Sequence, residues 1–146
     1  MVTAFAVNHG ELIKPAYGYR IDYKGRSILI SGDTKYDENI VKAGQGVDVV
    51  IHEVAAVAEG LLQQNPRMVP IFDHHTNPEQ AGKIFAQIKP KLAIYTHIII
   101  SSTPTFPVTK YDVIQQTRKN YGGPLLVGSD LMTIVIDDSV AVYRND

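Results

Sequence analysis

The chain contains no cysteine. That absence excludes a disulfide framework, a thiolate metal site and a cysteine nucleophile. Any metal here must be held by histidine or carboxylate side chains. The chain also lacks an excess of charge: 14 Lys and Arg stand against 15 Asp and Glu, a formal net charge of −1. A generally basic nucleic-acid binder is thereby excluded, though a local basic patch is not. No apolar run reaches the ~18 residues that read as membrane-spanning. The opening MVTAFAVNHGELIKP carries no basic segment followed by a long apolar one, so no secretory leader is visible. There is no repeat, low-complexity tract or interdomain linker. The expectation is a cytoplasmic, soluble protein without a membrane partner.

What is present suits one ordinary domain over residues 1–146, with 45% hydrophobic and 20% charged residues, enough for a packed core. Val2–Val7 and Tyr17–Tyr23 read as strands, the second by its alternation of apolar and polar residues. Lys24-Gly25 is a tight turn into a further strand over Arg26–Ser31, so the pair predicts a hairpin. Tyr36–Ala43 predicts a helix, Val47–Ile51 a buried strand, Val54–Gln64 a helix and Asn65–Phe72 a loop with two prolines. Asn77-Pro78-Glu79-Gln80 is a helix start, with a cap, a proline at the first helical position and a glutamine three residues after the cap. Ala81, Ile84, Phe85 and Ile88 follow at helical spacing, and Pro90 ends the pattern. Leu92–Thr96 predicts a strand and Thr109–Tyr121 a helix. Leu125–Val127, Leu131–Ile136 and Val140–Tyr143 predict closing strands. Paired strands followed by strand–helix alternation predict a mixed α/β layer.

Asp33, His52, Glu53 and His97 each directly follow a predicted hydrophobic strand, and His74-His75 precede a predicted helix. Ligands of open α/β sheets bind beyond the carboxyl ends of the strands. His9 also follows a strand, so all five histidines fall at strand ends or in loops. Each has an ordinary structural explanation: a strand-end histidine is commonly hydrogen-bonded scaffold, and Gly-Asp-Thr is commonly a turn or helix cap. Their alignment at successive strand ends favours one shared site.

The runs NHG…AYGYRIDYKGRSILISGDT, VDVVIHE, DHHTNPEQAG and KPKLAIYTHI together resemble the carboxyl-terminal half of a metallo-β-lactamase-fold hydrolase, in the ribonuclease Z-like branch. The resemblance covers roughly residues 2 to 100. It implies one αβ half, with a mixed sheet, of a four-layer αββα fold. It also implies that His9 and His97 bind the two metals and that the Asp33 carboxylate bridges them. Zn²⁺ is the implied metal, with Mn²⁺ or Fe²⁺ as alternatives. His52-Glu53 resembles the His-Glu-Ala-Thr motif, with Val54 and Ala55 departing from it. His75 resembles the histidine of the His-Ser-Thr motif, where Thr76 and Asn77 replace Ser-Thr. The resemblance makes His52, Glu53 and His75 catalytic, with Glu53 and His75 forming a proton relay beside the metals. A metal pair lowers the pKa of a bridging water towards neutrality, and a carboxylate-oriented histidine suits protonation of a leaving oxygen.

The family's His-x-His-x-Asp-His motif occurs nowhere in the 146 residues. Three ligand matches alone predict weak metal binding. The expectation is therefore a half-fold: a metal-dependent hydrolase of phosphodiesters or other small esters by resemblance, with little or no activity by itself. Two alternatives stand beside it, a non-catalytic homodimeric module and one half of an enzyme completed in trans by a missing amino-terminal half. No Lys/Arg cluster stands out, so nucleic-acid docking by this half is not expected. An uncovered sheet face is expected to drive homo-oligomerisation.

Overall fold

Alternating side chains and a two-residue turn start the architecture. The computed structural model describes residues 1–144; Asn145 and Asp146, the end of the expected 1–146 domain, lie outside the described residues. Strand β1 (Val2–Val7) pairs antiparallel with β2 (Ala16–Tyr23), and β2 with β3 (Arg26–Ile30). The β2–β3 turn places Lys24 and Gly25 both at positive φ, 48° and 75°, the twist that matches a tight hairpin. From β3 onward the sheet is parallel. β4 (Val49–Val57), β5 (Leu92–Ser101) and β6 (Leu125–Val127) complete six strands in the order β1 to β6. The helices are α1 (Glu38–Ala43), α2 (Leu61–Gln64), α3 (Val69–Asp73), α4 (Pro78–Ile88) and α5 (Lys110–Arg118). Strands β7 (Thr133–Ile136) and β8 (Val140–Tyr143) form a separate hairpin.

The expected capping box of α4 is present: the Asn77 side chain accepts from the Gln80 N–H, and the Gln80 side chain accepts from the Asn77 N–H. Ala81, Ile84, Phe85 and Ile88 are buried as the spacing predicts. They pack with Leu29, Val50, Val54, Tyr95 and Val113 into the main core, on one face of the sheet.

The segment after Glu53 differs from expectation. A helix over Val54–Gln64 is predicted, but β4 runs on to Val57 and only Leu61–Gln64 is helical. Val54 through Val57 pair with Ile98 through Ser101 of β5. That pairing and the burial of Val54, Ala55 and Ala56 outweigh the helical preference of the alanines. The expected loop Asn65–Phe72 is instead a 3-10 turn (Pro66–Met68) running into α3, each turn carrying its proline near its start, where no N–H is required. β5 likewise passes His97 rather than ending at Thr96. His52, Glu53 and His97 are therefore within strands and not just beyond them.

The second face of the sheet is only partly bare. Val49, Leu92, Ile94, Ile28 and Ile51 are covered by Ile134, Ile136, Val140 and Val142 of the β7–β8 hairpin, which Arg26 ties down through Asp137 and Asp138. On β1 and β2 the same face presents Val2, Tyr17, Tyr19 and Tyr23 to solvent.

Candidate functional site

The site is assembled from five stretches: Asn8-His9-Gly10 after β1, Gly32-Asp33-Thr34 after β3, Glu53 in β4, His74-His75-Thr76 before α4, and His97 in β5. Gly32 sits at φ +62°, and a Cβ there would collide with the Tyr17 carbonyl, so the turn that presents Asp33 requires glycine. The β4–β5 register shifts between Glu53 and Val54, opposite His97, whose φ is +43°. This bulge in a left-handed conformation re-aims His97 out of the strand. Its Nε2 lies 3.6 Å from Asp33 Oδ2.

Neighbours along a strand face opposite sides, and this separates His52 from Glu53. The His52 ring packs edge-on against Phe85 in the main core, centroids 5.8 Å apart. Its Nδ1–H donates to the Glu53 carbonyl at 2.6 Å, and its buried Nε2 has no hydrogen-bond partner among the described residues. Burial drives the His52 pKa down to about 4, against the opposing effect of that carbonyl.

Glu53, only 1% exposed, points into the cluster. Its Oε1 accepts from the Thr76 N–H at 2.7 Å, and its Oε2 lies 3.0 Å from His75 Nδ1. Thr76 is itself buried and donates through Oγ1 to the Thr34 carbonyl at 2.8 Å, which ties the His75 loop to the Asp33 turn. The Ser31 hydroxyl accepts from the Glu53 N–H at 3.1 Å. Burial pushes the Glu53 carboxyl up to about 8, helped by Asp33 and opposed by the Thr76 N–H. Burial first, and then His9, lowers His75. The opposed shifts favour the uncharged pair, with one proton held between the carboxyl and the imidazole.

The remaining histidines close around this pair. His75 stacks on His97 with centroids 5.4 Å apart, and the His9 ring lies 5.0 Å from His75. His9 Nδ1–H donates to the His74 carbonyl at 2.9 Å, which leaves Nε2 with its lone pair, the tautomer a metal ligand needs. Glu53, His75 and His97 offer donor atoms that all lie within 4.8 Å of one another. Imidazoles with carboxylates are a donor set for a borderline divalent cation such as zinc, so the residues present fit a metal. A cavity of about 630 Å³, lined by Lys35, Leu62, Phe72, His75 and Gln116 among others, adjoins the cluster.

His9, Asp33, Glu53, His75 and His97 are thus brought to one place, and His52 is turned away from it. Sequence reasoning missed Ser31 and Thr76, which fix the Glu53 backbone and carboxylate. Thr76 carried a signal, as the residue following the doubled histidine. No helix among the described residues is long and apolar enough to cross a membrane.

The β-lactamase superfamily domain matches residues 1–98, and the chain belongs to that superfamily, whose metallo-β-lactamase fold it shares. Membership implies the use of a divalent metal. Within the superfamily the chain resembles the ribonuclease Z-like branch. It is 25% identical over 131 residues to ribonuclease Z of Mycobacterium avium, covering 86% of this chain and 44% of that protein. It is 36% identical over 75 residues to ribonuclease Z of Anoxybacillus flavithermus, covering 51% of this chain and 22% of that one. Among solved structures, the metallo-β-lactamase fold protein YhfI from Bacillus subtilis superposes with a TM-score of 0.66 at 16% identity, over 87% of this chain and 46% of that one. The short form of human tRNase Z gives a TM-score of 0.55 at 22% identity, over 90% of this chain and 41% of that one. The chain spans less than half the length of these relatives.

Proposed function

We propose that this chain is the carboxyl-terminal half of a metal-dependent phosphodiester hydrolase of the ribonuclease Z type. The half carrying His-x-His-x-Asp-His completes it, and the chain alone has little or no activity. The observation that carries this reading is the pair of buried Glu53 and half-buried His75, 3.0 Å apart, beside the Asp33–His97 pair. In this reading His9, Asp33 and His97 hold the metals, zinc first and manganese or iron as alternatives. The metals would supply a hydroxide nucleophile at neutral pH. His75 gives a proton to the leaving oxygen, and Glu53 orients its ring and replenishes the proton. Thr76 holds the Glu53 carboxylate in place. His52 contributes by fixing the β4 backbone from the core side and does not touch substrate. The cavity beside His75 has room for the substrate.

The test is hydrolysis of bis(p-nitrophenyl) phosphate by the chain loaded with Zn²⁺ or Mn²⁺, alone and mixed with a polypeptide carrying the four-ligand motif. Metal-dependent turnover that appears only on mixing is expected. Turnover by the chain alone at rates typical of complete enzymes would overturn the claim that it is incomplete.

A second reading, a non-catalytic homodimer, is favoured by the tyrosine-rich bare face of β1 and β2.

A further inference from the structure

We propose that the cavity of about 630 Å³ beside His75 is the subsite for the departing alcohol of the substrate, and that it selects an uncharged planar ring, that of an aryl alcohol or a nucleoside. The inference rests on the hydrolase reading and adds the substrate class to it. His75 links the cavity to the chemistry. Its Nδ1 faces Glu53 Oε2 at 3.0 Å, so a proton passes to the substrate through Nε2. The bond from phosphorus to the departing oxygen breaks with its electron pair left on that oxygen, which takes the His75 proton, while a water-derived hydroxide forms the new bond to phosphorus. The group that departs is therefore bound next to His75, and His75 lines this cavity. A second cavity, of about 350 Å³, lies on the other flank of the cluster, lined by His97, Lys110 and Ser129 among others. The two share no lining residue among the described residues, so the departing and the retained parts of a diester have separate places.

The walls of the larger cavity define what fits. β4, carried past Glu53 by its pairing with β5, supplies Ala55 and Val57. Leu62 of α2 and half-buried Phe72 of α3 close the apolar side. Phe72 offers an aromatic surface on which a planar ring can stack. The charges nearly cancel. Glu79 is paired with Lys119 at 2.7 Å, which leaves Lys35 against Asp73. A departing group with a further phosphate would find no net positive charge there. The Gln116 amide offers a hydrogen-bonding group to an uncharged ring. The volume lies within the usual range for small-molecule pockets.

Two measurements test this. In the first, p-cresol and thymidine, both uncharged at neutral pH, are titrated into the isolated chain and followed by nuclear magnetic resonance. Saturable shifts of the Leu62 methyl and Phe72 ring resonances are expected with at least one probe, and the responding probe assigns the cavity to aryl alcohols or to nucleosides. Shifts confined to Tyr17, Tyr19 and Tyr23, or none at millimolar probe, overturn the proposal. In the second, the mixed halves hydrolyse bis(p-nitrophenyl) phosphate and methyl p-nitrophenyl phosphate, which expel the same group and retain different ones. Phe72→Ala should lower kcat/KM on both by about tenfold. Leu62→Ala should act in the same direction, and circular dichroism checks that each variant is folded. Ile71→Ala, exposed in the same helix and outside the cavity lining, should leave both rates unchanged. A loss confined to the bis-aryl substrate overturns the proposal, because the cavity then holds the retained group. Turnover that is indifferent to both Phe72→Ala and Leu62→Ala overturns the subsite and leaves the hydrolase reading standing. No turnover of either substrate by the mixed halves removes the hydrolase reading and the departing-group role with it, whatever the probes bind.

Discussion

His52 and Glu53 are adjacent in sequence and titrate in opposite directions because the strand sends them to different surroundings. His52, held down at about 4 by the core, is neutral in the folded chain and takes up a proton on unfolding below its ordinary 6.5. Its contribution to stability is present above pH 6.5 and is lost as the pH falls through about 4. Glu53, raised from 4.5 to about 8, has the opposite sign: stability is fullest below 4.5 and declines as the pH rises through about 8. Urea midpoints of the metal-free chain across this range should show both arms. Glu53→Gln should flatten the alkaline arm and His52→Gln the acid one, and an unchanged profile in either variant contradicts the assignment. Under the proposed hydrolase reading, with the two halves mixed, Glu53→Gln should lower kcat on the phosphodiester by roughly 10²-fold, the usual range for a proton-transfer group, with KM little changed. Steady-state kinetics of the mixed halves measure it. At this scale the residue types were legible: histidines and acids near strand ends announce a polar site. Which acid faced which histidine was not. The pleat separates His52 from Glu53, and the partner of Glu53 comes from a loop 22 residues away.

Among the elements, α4 shows local code and tertiary role coinciding. Asn77→Ala removes the acceptor for the Gln80 N–H and should destabilise the chain by about 1 kcal/mol in chemical denaturation. Because the same cap follows Thr76 directly, the variant also tests whether the His75 loop depends on helix entry; loosened binding at the cluster would show that it does. Gly82 lies where α4 meets α5, and an added Cβ would sit 2.6 Å from the Thr117 carbonyl. Gly82→Ala should therefore destabilise by about 1–3 kcal/mol through overpacking, despite alanine's better helix propensity. A thermal melt at or above that of the unaltered chain would show that the two helices can move apart. The misread stretch after Glu53 shows where local code fails. Val54–Val57 carries alanines that suit a helix, and only the pairing with β5, distant in sequence, makes it a strand.

For the whole molecule, the question is what covers the sheet. The β7–β8 hairpin shields the β3–β6 portion of the second face, while Tyr17, Tyr19 and Tyr23 remain open on β2. Contiguous apolar surface of this kind promotes association. The isolated chain should therefore self-associate with rising concentration, and Tyr19→Lys should shift the mass towards the monomer. Light scattering reads both, and a strictly monomeric unaltered chain at high concentration would sink the homodimer reading.

By itself, the sequence determined the hairpin, the α4 start, the mixed α/β layering, and the histidine and carboxylate composition of the site. These depend on side-chain period, turn conformation and donor chemistry, which neighbours along the chain carry. Only the tertiary structure decided that β4 and β5 run on past Glu53 and His97, that a bulge turns His97 towards Asp33, that His52 belongs to the core, and that Thr76 secures Glu53. Each of these rests on hydrogen bonding or burial between segments far apart in the chain, and no local pattern encodes which partner a strand or a carboxylate meets.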